Sequence, residues 1–157
     1  MFRAVAILGA LLARWAIGTA AADLSTVEAV SVYVRGQQRD LAPDAVEVRE
    51  LVTRCEQQLR DADDLLKLAV TPQTIRRIQA TEVALEIRYR TPPTLQVAAN
   101  GLTLRPLRLL IPLTGELAGS VTTIFHGRNA YDAGPYRNRA GTGQLASLVR
   151  ELGVDFP

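Results

Sequence analysis

The feature that most restricts the fold is a series of extended segments, over residues 81–127, that no helical pattern interrupts. In TEVALEIRYR, residues 81–90, apolar and polar side chains alternate with the period of two that a strand requires. Two more extended segments follow, TLQVAANGLTLRPLRLLIPL and GSVTTIFHG. Parallel neighbours need a long crossover, usually a helix, between consecutive strands. These segments therefore predict an antiparallel sheet.

Helical patterns lie on either side of that region. Apolar residues at 48, 52, 55, 59, 62 and 66 form one stripe and predict a long helix over about 43–69. Thr71 before Pro72 predicts a short second helix, and TGQLASLVRELG, capped by Thr142, a third. VSVYV adds an earlier strand. The order predicts an α+β fold: a single two-layer domain with an antiparallel sheet of about four to five strands, and one long helix and one or two short helices packed on one face.

Turn residues divide the extended region further. Asn100-Gly101 separates two extended runs and predicts a β-hairpin. Pro106 and Pro112 lack an amide hydrogen, so the second run is expected to lie at an edge, carry a bulge or break in two.

The first 22 residues have the pattern of a secretory signal peptide. Arg3 precedes an apolar run, and three alanines end at Ala22 before the polar Asp23. We expect an exported protein, periplasmic or extracellular, whose single domain spans residues 23–157. Because Arg14 interrupts the apolar stretch, a permanent membrane span is disfavoured. Two alternatives stay open. In the first, residues 4–22 are an uncleaved anchor that tethers an accessory subunit and is its sole contact with the membrane. In the second, these residues form a buried N-terminal helix.

Charge and cysteine content narrow the function classes. Without Arg3 and Arg14, 16 of the 18 basic residues remain against 16 acidic ones, so a nucleic-acid partner is not predicted. Cys55, the single cysteine, cannot form an intramolecular disulfide and is expected to be a buried hydrophobe. Asp61, Asp63 and Asp64 lack the glycine and distal glutamate of a calcium loop, so no metal site is predicted, and no motif implies a cofactor.

Positive charge is concentrated in the second half of the chain. Residues 68–157 hold ten basic and six acidic side chains, whereas residues 23–67 hold six and ten. Arg88 and Arg90, on the predicted strand, are candidate binding residues, with Arg76, Arg77, Arg105 and Arg108 on the same surface. Such a surface suits an anionic ligand or a protein partner of unknown identity. The alternative is internal pairing with the acidic helical half.

The segment HGRNAYDAGPYRNRAGTG, residues 126–143, concentrates polar and aromatic side chains in a predicted loop. It has three open interpretations: a structural cover over one end of the sheet, a recognition surface, and a catalytic site. Recognition would use Arg128, Tyr131, Tyr136 and Arg137. Catalysis would use His126 as a base oriented by Asp132, but no nucleophile elbow or second histidine accompanies them. We therefore predict a non-catalytic binding or protein-interaction module, with a small hydrolase-like enzyme as the alternative.

Overall fold

Seven strands of one antiparallel sheet form the framework of the computed structural model, which describes residues 26–157. In chain order the elements are β1 Val27–Val34, β2 Gln37–Leu41, α1 Val46–Arg60, β3 Asp64–Leu65, α2 Pro72–Thr81, β4 Val83–Tyr89, β5 Leu95–Gln96, β6 Thr103–Leu104, β7 Arg108–Pro112, β8 Thr122–Gly127, β9 Tyr136–Asn138 and α3 Gly143–Glu151. The sheet order is β2-β1-β4-β7-β8-β9-β3. Strands β5 and β6 form a separate hairpin.

Helices cover both faces of the sheet, so the predicted two-layer fold with four to five strands and helices on one face is wrong. On β4, Leu85 and Ile87 belong to the larger core, which also holds the apolar faces of α1 and α3. Ala84 points the other way, into a smaller cluster with Ile75 and Ile78 of α2. The sequence suggested a half-exposed strand, but β4 lies between β1 and β7 and is buried on both faces over most of its length.

The additional strands come from segments without a clear alternating pattern. Strand β2 follows a two-residue turn in which Arg35 has φ 48° and Gly36 has φ 87°, the left-handed conformation of tight hairpin turns. Because β2 is an exposed edge strand, it carries almost no apolar residues. Strands β3 and β9 pair with each other, and β9 lies within the segment that we predicted to be a loop.

The helix predicted over about 43–69 is too long at its C-terminal end. Helix α1 ends at Arg60, because the next residues turn into β3 and the Asp63 amide donates to the Arg137 carbonyl of β9. The three aspartates therefore follow the helix instead of lying inside it. Ala62 lies beyond the helix but is also buried, so an apolar residue at this position continued the spacing of the helical stripe. Spacing alone cannot distinguish a final helical turn from a strand that buries the same side of the chain.

Several local predictions are confirmed. The Thr71 hydroxyl accepts a hydrogen bond from the Thr74 amide and caps α2 at 3.1 Å. The hairpin forms around Asn100-Gly101, and the run after it breaks in two at Pro106, between β6 and β7. Helix α3 also forms with Thr142 at its N-cap position, as predicted, but the Thr142 hydroxyl makes no cap hydrogen bond to the helix and accepts instead from the Gly119 amide.

Cys55 is fully buried in the larger core, as predicted, and burial raises the pKa of its thiol. Among residues 26–157, no helix is both long and apolar enough to cross a bilayer. The predicted signal peptide over residues 1–22 lies outside the described residues. Export and membrane anchoring therefore remain predictions.

Gly127 allows the chain to turn back closely at the end of β8. A Cβ atom at this position would overlap the Ala130 carbonyl oxygen and lie 2.9 Å from a carboxylate oxygen of Asp132. We predict that Gly127→Ala lowers the free energy of unfolding by about 1–3 kcal/mol, because backbone must move to admit the methyl group. Urea denaturation measures the change.

Gly143 provides the matched control, since a Cβ there meets nothing within 4 Å. Gly143→Ala at the start of α3 should leave stability unchanged or raise it by up to about 1 kcal/mol. Equal stability of the two alanine variants would contradict the steric explanation.

Candidate functional site

A carboxylate buried at the centre of the sheet organises the face that α2 covers. Glu86 lies in the middle of β4 and is only 7% exposed. Its Oε2 accepts a hydrogen bond of 2.7 Å from the hydroxyl of Tyr33 on β1. Its Oε1 accepts one of 2.5 Å from the hydroxyl of Tyr131 in the loop after β8. Each carboxylate oxygen thus has a phenol donor, and Tyr131 ties the loop to the sheet.

Both phenols are held in the protonated form that donates these bonds. Burial raises the pKa of Tyr131, and the neighbouring Glu86 charge and hydrogen bond raise it further. Burial, together with the Glu86 hydrogen bond and charge, also raises the pKa of Tyr33, which is less completely buried. The arrangement is therefore a fixed hydrogen-bond network at neutral pH.

Two arginines stand directly opposite each other beside this network. Arg88 on β4 pairs in register with Arg108 on β7, and both share the face of Glu86 because strand residues two apart point the same way. The Arg108 guanidinium lies over the Tyr131 ring, 5.7 Å from its centroid. Within residues 26–157, neither arginine forms a salt bridge. The Arg108 Nε is moreover buried without a hydrogen-bond partner.

A cavity of about 330 Å³ opens above these groups, between α2 and the loop over residues 128–135. Glu86 and Arg108 contribute from the sheet, and Arg76 faces them from α2. The rest of its lining combines apolar side chains with polar loop residues: Val70, Pro72, Ile75, Gln79, Asn129, Ala130, Tyr131 and Asp132. The cavity has the size and mixed lining of a small-molecule site.

His126 lies on the opposite face of the sheet. It pairs in register with Leu109 of the larger core, is 7% exposed, and its ring centroid lies 5.3 Å from that of Tyr136. Its Nε2 is 3.2 Å from the Gly134 carbonyl oxygen. Burial lowers its pKa, partly offset by this contact and by the Asp132 charge.

His126 and Asp132 nevertheless line one cavity of about 600 Å³, together with residues 103–106 and 127–129. No hydrogen bond joins the two side chains in the described part of the chain. The catalytic pair therefore remains a hypothesis without the contact that would orient the base.

The structure separates the other predicted binding residues. Tyr131 lines the cavity above Glu86 and Arg88 lies beside it, whereas Tyr136 is buried on the other face and accepts a hydrogen bond from Asn100. Arg137 pairs with Asp64 at 2.6 Å, so its charge is already neutralised. The two remaining residues are exposed: Arg128 borders the His126 cavity and Arg90 follows the end of β4.

Sequence reasoning missed the centre of this site. It placed Arg76 and Arg108 on a basic surface but did not single them out, and it passed over Tyr33 and Glu86. The available signal was a glutamate inside a strand of large apolar residues, because such a charge is buried only with partners. In the described range no three metal-binding side chains form a cluster.

Comparisons of the chain with protein-family models, with curated proteins and with solved structures find no match. Assignment of a function therefore depends on what the cavity can do chemically. It presents guanidinium groups without carboxylate partners, apolar walls, and a carboxylate whose oxygens are already occupied by phenols. This set is suited to holding an anion.

Removal of one phenol tests the network. We predict that Tyr131→Phe lowers the free energy of unfolding by about 1.5–3 kcal/mol, because the largely buried Glu86 carboxylate loses one of its two phenol donors. Tyr136→Phe is the matched control: its hydroxyl bonds to the neutral Asn100 amide, so the loss should be about 0.5–1.5 kcal/mol. Chemical denaturation measures both. A larger loss for Tyr136→Phe would contradict the proposed importance of the carboxylate.

The single histidine gives an unambiguous titration. We predict an imidazole midpoint by NMR below about 6.5 in the folded protein, because burial disfavours the charged ring. The unfolded chain then binds more protons, so stability should fall as pH drops from about 6.5 to the folded midpoint. In denaturant the midpoint should return to the ordinary value. A folded midpoint at or above that value would contradict the burial of the ring.

Proposed function

We propose that this protein is a non-catalytic binding domain that holds an anionic ligand in the cavity between α2 and the loop over residues 128–135. The observation that carries the proposal is the cross-strand pair of Arg88 and Arg108, which form no salt bridge in the described residues, although Arg88 interacts electrostatically with Asp40 of β2. The predicted signal peptide adds the proposal that the domain acts outside the cytoplasm.

Placing two like charges directly opposite on neighbouring strands is destabilising. A chain under selection for stability alone would place an apolar or acidic residue at one of these positions. An anion bound at Arg108 reduces the repulsion and provides an acceptor for its Nε, which has no hydrogen-bond partner in the described residues. Arg76 on α2 adds a third positive charge from across the cavity.

The Glu86 network favours binding over proton transfer. Both oxygens of Glu86 already accept hydrogen bonds, and Tyr131 stays protonated because its pKa is raised. A general acid or base needs a group that is free to exchange a proton with the ligand. The network instead fixes the position of the Tyr131 ring, on which the Arg108 guanidinium lies.

Arginine substitution tests the proposal. Titration of the purified protein with a panel of small anions, followed by NMR, should reveal at least one that shifts signals of the cavity residues. We predict that Arg108→Gln weakens this binding by about tenfold or more, as loss of a charge-assisted hydrogen bond implies. Arg88→Gln should weaken it less, because that side chain lies beside the cavity.

Arg54→Gln is the matched control, since Arg54 is an exposed arginine on α1, across the sheet from the cavity. It should bind as the unaltered protein does. Equal affinity of the Arg108 and Arg54 variants, with both folded, would contradict the proposed site.

A further inference from the structure

We infer that the ligand is a small monocarboxylate with a short apolar body, rather than a phosphate or another dianion. This inference rests on the proposed function and specifies the ligand class of the same cavity. Three properties of the cavity support it: the balance of charge, the geometry of the arginine, and the size of the apolar part.

The charges around the cavity disfavour a dianion. The charged side chains that line the cavity are Arg76 and Arg108, against the carboxylates of Glu86 and Asp132, so the lining has no surplus positive charge. Arg88 lies beside the cavity, where it also interacts electrostatically with the Asp40 carboxylate of β2. Asp132 is exposed at the border of the cavity, where it repels a second negative charge on the ligand.

Arg108 presents a planar group suited to a planar anion. A guanidinium forms two parallel hydrogen bonds to a carboxylate, whereas an ammonium acts as a point charge. The guanidinium lies over the Tyr131 ring, and its buried Nε lacks an acceptor. A small turn of the side chain toward a bound carboxylate would satisfy that donor.

The remaining walls accept a hydrocarbon group of limited length. Val70, Pro72 and Ile75 line the side of the cavity next to α2, and Ala130 lines the loop side. A volume of about 330 Å³ is near the lower end of the range for small-molecule sites. A branched chain of a few carbons fits this space, and a long acyl chain does not.

A pair of probes that share one carbon skeleton separates the two head groups. We use 3-methylbutanoate and 2-methylpropylphosphonate, at a pH above the second ionisation of the phosphonate, with the purified full chain and NMR detection. The carboxylate should bind at least tenfold more tightly than the phosphonate. Arg108→Lys keeps the charge but removes the planar fork, so it should weaken carboxylate binding by about tenfold and change phosphonate binding by less.

Asp132→Asn tests the charge balance without touching the buried network. It should tighten phosphonate binding several-fold while leaving carboxylate binding within about twofold, because removal of a nearby like charge favours the dianion more. Thermal unfolding checks that each variant is folded. If the phosphonate binds as tightly as the carboxylate, or Arg108→Lys binds the carboxylate as the unaltered protein does, this inference is overturned while the anion site stands. If neither probe nor any other small anion binds, the proposed function fails with it.

Discussion

A buried carboxylate at the centre of β4 is the constraint on which one half of the structure depends. Transfer of a charge into the protein interior is costly unless hydrogen bonds replace its hydration. Here the replacement comes from Tyr33 on a neighbouring strand and Tyr131 on a loop distant in sequence. Glu86 therefore determines where the loop over residues 128–135 can lie. Because that loop forms one wall of the cavity, the hydrogen bond between Glu86 and Tyr131 also positions that wall.

The two faces of the sheet differ in the size of their apolar cores. The face toward α1 and α3 carries a continuous apolar core that includes Cys55 and the odd-numbered positions of β4. The α2 face has a small cluster of six buried residues, with Glu86 and the arginines beside it. Burial of apolar area on the first face supplies the main driving force for folding. The second face can consequently hold polar groups and open space that a single-core domain of this size would not tolerate.

The sequence predicted those elements whose signals are local. The Thr71 cap, the turn at Asn100-Gly101 and the break at Pro106 depend on neighbouring residues alone, and all three are present. Edge strands and pairings between distant segments were missed, since β2 has no apolar alternation and β3 is a strand only because β9 lies beside it. The Glu86 network was missed for the same reason. Tyr33, Glu86 and Tyr131 are far apart in the chain, and no spacing rule connects them.

The excess of arginine in the second half of the chain had two interpretations, internal pairing and ligand binding, and the fold shows internal pairing for one part of it. Arg137 pairs with Asp64, the first residue of β3, and Arg139 pairs with Asp63, which precedes it. Both aspartates lie next to β9 because β3 pairs with β9. On the α2 face, by contrast, Arg88 and Arg108 have Glu86 as their nearest acidic neighbour along the strand, and both its oxygens accept from phenols. The phenols thus hold the Glu86 carboxylate toward Tyr33 and Tyr131, and it forms no salt bridge with either arginine in the described residues. If either phenol were lost, Glu86 would be free to pair with Arg108, and the positive charge that favours an anion would be reduced.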